Sequence, residues 1–178
     1  GVIERHAGDV SWKPHAKVAR TLASEVNSNA SKTGRTAYDA TKKPFDTLVD
    51  LLSGNPPDGV EAEDQAPFAD YVGRDTLMKR IELTLKNLQS NINTEARMKE
   101  DPATVKRKLA MLATMMTVVA TPEYDYTDEG EYQGFIDGFV KAALDGREAV
   151  DGSNFSVFSE SLGRMQKLCA DCHGKYAF

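Results

Sequence analysis

Cysteine, tryptophan and long apolar segments are scarce in this sequence of 178 residues. It has two cysteines and one tryptophan, and the cysteines are too few and too close together for a disulfide framework. No run of about 18 apolar residues occurs, so we expect no membrane-spanning helix. No segment alternates apolar and polar residues, which argues against β-strands. These absences favour an all-α globular protein.

Positive charge is also in deficit. The chain has 22 lysines and arginines against 27 aspartates and glutamates, a net charge of −5. This balance argues against nucleic acid or an anionic membrane surface as the main partner. The sequence contains no nucleophile triad, no phosphate-binding loop and no metal-binding helix motif. We therefore expect a protein that is not an enzyme.

Residues 75–178 carry the more regular pattern. The first of four predicted helices has apolar residues at alternating spacings of three and four, which is typical of helices that pack together in bundles. These residues are Met78, Ile81, Leu85, Leu88 and Ile92. The predicted helices span about residues 75–98, 102–120, 127–150 and 155 to the end. Short loops between such helices predict an antiparallel four-helix bundle.

Residues 1–74 are predicted to form a helical N-terminal extension and linker. Pro14 suits the start of one helix, and a second, short helix is expected after Pro44 and to close at Gly54. The breaker Asn55–Gly59 and the acidic stretch that follows predict a loop. We place the boundary between the two domains within residues 54–74.

The chemistry is expected at Cys169-Ala170-Asp171-Cys172-His173. C-x-x-C-H is the attachment motif of c-type haem. Residues three apart on a helix share a face, so both thiols can form thioethers with one haem, and His173 can bind its iron. Both cysteines continue the apolar spacing of the fourth helix. We therefore predict haem c, with His173 as the proximal iron ligand.

Three other interpretations of the motif remain. The two cysteines could form a thiol–disulfide redox pair, although such motifs usually lie between a strand and a helix. They could be half of a zinc site whose other half is missing. They could also be two buried cysteines beside a histidine, with no cofactor.

The segment Leu168–Tyr176, at the end of a helical bundle, resembles the class II c-type cytochromes, the cytochrome c prime family. The resemblance covers about residues 75–178. It implies an exported four-helix bundle with one haem and with the histidine of the motif as proximal ligand. In some members the second axial position is open or shielded and binds small gases. In others a methionine near the start of the first bundle helix binds there, and these members carry electrons.

Met78, at the first apolar position of the first bundle helix, is the candidate for that second ligand, and Met116 is the next. A core methionine is the alternative role for either. With Met78 bound, the protein would be a one-electron carrier. With the position open, it would be a five-coordinate gas-binding protein. Three cations are candidate partners for the haem propionates, although exposed charges are the alternative: Arg80, Arg164 and Lys175.

Covalent haem attachment predicts maturation outside the cytoplasm, in the periplasm or another extracytoplasmic compartment. The first residues, Gly1–Arg5, lack the apolar core of a signal peptide, so we expect a mature or trimmed form. The expected partners are redox proteins. Residues 1–74 have three open roles: covering the haem edge, forming a homodimer contact, or serving as a docking arm.

Overall fold

The computed structural model describes residues 11–62 and 67–176, and in these ranges the chain is all-α. They contain one 3₁₀ turn, eight α-helices and no strand, which confirms the predicted class. In chain order the helices are α1 (Ala16–Ala30), α2 (Arg35–Leu52), α3 (Phe68–Tyr71), α4 (Arg74–Asn91), α5 (Glu95–Glu100), α6 (Pro102–Val119), α7 (Gly130–Asp151) and α8 (Phe155–Tyr176). The chain divides into two compact units, residues 1–66 and 67–178.

The first unit is a pair of helices that pack on each other, α1 and α2. The turn between them ends at Gly34, whose φ of 97° lies in the left-handed region that favours glycine. Its small core consists of Ala19, Leu22 and Leu51. Trp12, just before the 3₁₀ turn, packs against the same core.

The second helix of this unit differs from the prediction, because α2 runs through Pro44 instead of beginning after it. Proline has no N–H to bond the carbonyl four residues earlier, which here belongs to Ala40. The side-chain amide of Asn29, on α1, donates to that carbonyl at 3.3 Å. A neighbouring helix thus satisfies the group that proline leaves unpaired, and this helps α2 to continue.

The second unit is built from four long helices and two short ones. Helix α4 contacts α6 and α8, α6 contacts α7, and α7 contacts α8. One apolar core lies among them, and α3 contributes Phe68 to its edge. Its most deeply buried members, each at most 2% exposed, include Ile81, Leu88, Leu109, Leu112, Phe139, Phe158 and Met165.

The first predicted helix of this unit is shorter than expected. A continuous helix over residues 75–98 was wrong, because α4 ends at Asn91 and α5 begins at Glu95. The Thr94 side chain accepts a hydrogen bond from the Arg97 backbone N–H at 3.3 Å and caps the new helix. At the other end, α4 starts after Gly73, and Asp75 lies in its first turn.

Helices α7 and α8 are joined by a short turn at residues 152–154. Ser153 takes a φ of 52° there, and the Asn154 side chain accepts a hydrogen bond from the Val157 N–H at 3.2 Å. A turn this short makes the two helices antiparallel neighbours. Among the described residues, no helix combines the length and the apolar character needed to cross a bilayer.

Candidate functional site

Helix α8 brings the C-x-x-C-H motif to the core of the second unit. Phe158, Leu162 and Met165 are buried at spacings of four and three. Cys169 and Cys172 continue this spacing: Cys172 is buried, and Cys169 is half-buried against the same core. Both thiols are therefore on the inner face of α8, near its C-terminal end.

Helix α4 brings Met78 to the same place. A small apolar cavity is lined by Met78, Cys169, Cys172, His173, Met116, Phe135, Ile136, Phe139 and Leu168. Met78 is half-buried, whereas Met116 is buried. The four residues predicted for the site, the two cysteines, His173 and Met78, thus line one cavity.

A larger cleft adjoins this cavity and shares Met78, Cys172 and His173 with it. The cleft has a volume of about 420 Å³, against about 20 Å³ for the apolar cavity. Its other lining residues are mostly polar: Arg74, Asp75, Asp125, Tyr132 and Tyr176. His173 is exposed at this opening. Most of the open volume beside the motif therefore lies in the cleft and not in the apolar cavity.

The two thiols are free and are poor nucleophiles in this setting. Burial raises the pKa of the Cys169 thiol to about 11, and nearby Cys172 and Glu82 add to the shift. Burial also raises the pKa of Cys172, partly offset by the Arg74 guanidinium. Redox-active C-x-x-C pairs have lowered thiol pKa values. The environment thus does not favour the thiol–disulfide interpretation.

Arg74 is a site residue that the sequence analysis missed. Its side chain is 19% exposed and pairs with the Asp125 carboxylate at 3.3 Å. Its guanidinium also lies 5.4 Å from the centre of the Tyr126 ring. Arg74 stands four residues before Met78, so the helical period already placed the two on one face of α4. That spacing was the signal available in the sequence.

Tyrosine side chains form the polar wall of the cleft. The Tyr176 ring lies 5.2 Å from Tyr126 and 5.3 Å from Tyr132, measured between ring centres. The Tyr176 hydroxyl donates to the Glu129 carboxylate at 2.9 Å. Burial raises the pKa of Tyr176 to about 12, and the hydrogen bond to Glu129 is the second-largest cause of this shift. Tyr132 is buried, and burial raises the pKa of its hydroxyl, an effect that the nearby Arg74 guanidinium partly offsets.

The three cations considered as propionate partners lie outside both cavities. Arg164 pairs with Asp145, and Lys175 pairs with Glu131. Arg80 is exposed on α4. Of the cations on α4, it is Arg74 that lines the cleft.

The residues present fit haem c. They offer two thiols three positions apart, an imidazole and a thioether, together with an apolar wall and a polar end that carries a cation. A porphyrin has matching parts, namely an apolar ring and two carboxylates. Among the described residues, no group of three or more histidine, cysteine and acidic side chains is arranged to hold a bare metal ion.

In comparisons with known proteins, no family model, no curated protein and no solved structure matches this sequence.

Proposed function

We propose that this protein is a monohaem c-type cytochrome that acts as a one-electron carrier. The observation that carries the proposal is that Cys169, Cys172 and His173 line one cavity together with Met78. Two thiols of helical spacing, an imidazole and a thioether from a second helix are the donor set that would attach a haem and bind its iron.

The proposed architecture is an antiparallel four-helix bundle made of α4, α6, α7 and α8. The order of contacts around these helices supports it, as does the short turn between α7 and α8. In an up-down bundle the start of the first helix and the end of the last lie at the same end. That arrangement would put Met78 opposite the attachment motif.

Each residue of the site has a role in this proposal. Haem would supply the iron that takes up and releases one electron. Cys169 and Cys172 would fix the cofactor through thioether bonds, so that it cannot dissociate. His173 and Met78 would bind the iron. The apolar side chains on α7 and α8 would exclude water from the ring.

Two axial ligands suit electron transfer, because both oxidation states then keep the same coordination and little has to move. A thioether ligand also raises the reduction potential. The alternative is a five-coordinate gas-binding protein, in which Met78 would be a core residue beside an open iron position. The half-buried position of Met78 in both cavities favours the electron carrier.

The proposed setting follows from the covalent chemistry. Thioether attachment takes place outside the cytoplasm, so we propose an exported, periplasmic or otherwise extracytoplasmic protein. Its partners would be redox proteins that approach an exposed haem edge. Its negative charge would favour a partner with a basic surface.

Absorption spectra of protein matured in an exporting host, oxidised and then reduced, test this function. We expect low-spin, six-coordinate iron in both states, a reversible one-electron couple and slow uptake of carbon monoxide. A high-spin ferrous form that binds carbon monoxide rapidly would favour the gas-binding alternative. A purified protein without haem would contradict both.

A further inference from the structure

One helix of the first unit carries an apolar stripe that its own core does not use. Helix α2 contributes Leu51 to that core, and Leu48 packs against it. On another face of the same helix, four large apolar side chains are 42–58% exposed: Tyr38, Phe45, Val49 and Leu52. Their spacings of seven, four and three residues put them in one row along the helix. Single exposed apolar residues are ordinary, but a continuous row of them marks an interaction surface.

The stripe is symmetric about Phe45. Tyr38 lies seven residues before Phe45 and Leu52 seven residues after it, which is two helical turns, or about 10 Å, on either side. Around a two-fold axis at Phe45, an antiparallel second copy of α2 would place its Leu52 against Tyr38. Its Phe45 would meet the first Phe45. A two-fold interface needs a surface that complements itself, and this spacing provides one.

The charges of α2 are also divided as antiparallel pairing requires. Residues 35–43 have a net charge of +2, from three cations and one carboxylate: Arg35, Lys42, Lys43 and Asp39. Residues 44–52 have a net charge of −2, from Asp46 and Asp50. Lys42 and Asp46 also pair within the helix, where both remain exposed to a partner's charges. An antiparallel copy sets each positive half against a negative half, whereas a parallel copy would set like charges together.

The described part of the second unit has no stripe to match this one. Its exposed large apolar side chains lie one to a helix, on α3, α4, α7 and α8: Tyr71, Leu83, Leu144 and Val157. The first unit has a small core, so further burial would stabilise it. Two copies joined through α2 would bring together four helices, as in a four-helix bundle. A second copy is therefore the partner that fits the stripe.

We propose that α2 is a dimerisation surface, on which a second copy of this chain binds antiparallel through Tyr38, Phe45, Val49 and Leu52. Phe45 would lie on the two-fold axis, and the charged halves of the two helices would set their direction. The proposal concerns the first unit and does not depend on haem.

Sedimentation equilibrium of the full chain over a range of concentrations tests the surface. We expect the mass of two chains at high concentration and a shift towards one chain on dilution. Phe45→Glu should have the mass of one chain throughout, because a dimer would bury two facing carboxylates at the axis. Leu83→Glu is the matched control, since Leu83 is an apolar residue of α4 that is 62% exposed, and it should dimerise like the wild type.

Charge reversal tests the direction of pairing. Lys42→Glu with Lys43→Glu makes both halves of α2 negative, and Asp46→Lys with Asp50→Lys makes both positive. Each double variant should be monomeric by itself, and an equimolar mixture of the two should form a mixed dimer. The mixture also shows that loss of dimer in each variant is not loss of the helix.

Four results would overturn the proposal. They are a wild-type chain that stays monomeric at every concentration, a Phe45→Glu protein that still dimerises, double variants that dimerise by themselves as the wild type does, and a mixture of them that stays monomeric.

Discussion

His173 is the residue of the motif that would bind the iron of the proposed haem. It follows Cys172 directly and lines both cavities at the end of α8. We expect His173→Ala to change the spin state and shift the potential, because the iron would lose its strong ligand from the motif. Absorption and electron paramagnetic resonance spectra measure this.

His15→Ala provides the control for His173→Ala, since His15 belongs to the 3₁₀ turn of the other unit. It should leave both spectra unchanged. Wild-type spectra in His173→Ala would show that another residue holds the iron.

Met78 separates electron transfer from gas binding. We expect Met78→Ala to open the iron, admit carbon monoxide readily and lower the potential, because a thioether favours ferrous iron. Met116→Ala is the matched control: it removes a more deeply buried methionine from the same cavity. It should cost about 2–5 kcal/mol of stability without changing the coordination. Stopped-flow carbon monoxide binding measures the first effect, and urea unfolding the second.

Two results would contradict the role of Met78. A wild-type ferrous protein that is already high-spin would leave Met78 as a core residue. A ferrous protein that stays low-spin in Met78→Ala would place the ligand elsewhere, with Met116 as the next position to change.

Among the helices, α7 and α8 approach each other closely along glycine positions. A Cβ atom at Gly138 would lie 3.3 Å from both terminal methyl carbons of Leu168, which precedes the motif. One at Gly146 would lie 3.3 Å from the Ser161 Cβ and 3.5 Å from a Leu109 methyl carbon. The missing side chains therefore allow α8 to approach α7 closely.

This packing predicts opposite effects for two glycine substitutions. Gly146→Val should lower the free energy of unfolding by about 1–3 kcal/mol, because the added carbons have no room between α6, α7 and α8. Gly163→Ala, on α8, should raise it by about 0.5–1 kcal/mol, because a Cβ there meets nothing within 4 Å and alanine favours the helix. Urea unfolding measures both. A Gly146→Val protein as stable as the wild type would contradict the close packing.

The long helices could be predicted because each must bury an apolar stripe. Helix α8 illustrates this, since the spacing from Phe158 to Cys172 predicted the face that is buried. The break after Asn91 was missed, because apolar Ile92 continued the pattern across it. The continuation of α2 through Pro44 was missed for another reason. It is supported by Asn29 on a different helix, and no pattern local to α2 contains that contact.

The candidate site was predictable to a similar extent. The motif identified Cys169, Cys172 and His173, and the apolar spacing indicated Met78. Tyr132 was not predicted as a residue of the site. Its place in the lining of the cleft results from how the helices pack, and a sequence pattern does not contain that information.

At the scale of the whole molecule, the two units divide the chain into a part with the site and a part without it. Every residue that lines either cavity beside the motif lies in the unit of residues 67–178. That unit also contains the larger of the two cores. Among the described residues of the first unit, three apolar residues are buried in its core, so we expect the pair of helices α1 and α2 to be marginally stable on its own.

This division predicts that a fragment of residues 67–178 keeps the site. Matured in an exporting host, it should show the same haem spectra and the same slow carbon monoxide uptake as the full chain. A fragment that folds, as judged by circular dichroism, but has altered coordination would show that residues 1–66 contribute to the haem environment.

The central claim is covalent haem at Cys169 and Cys172, and intact mass after acid–acetone extraction tests it most directly. The protein should be matured in an exporting host, alongside the variants Cys169→Ser and Cys172→Ser and the double variant. We predict that the wild type keeps the added mass of one haem through the extraction, and that the double variant has the bare polypeptide mass. A wild-type protein that also has the bare polypeptide mass would contradict the account.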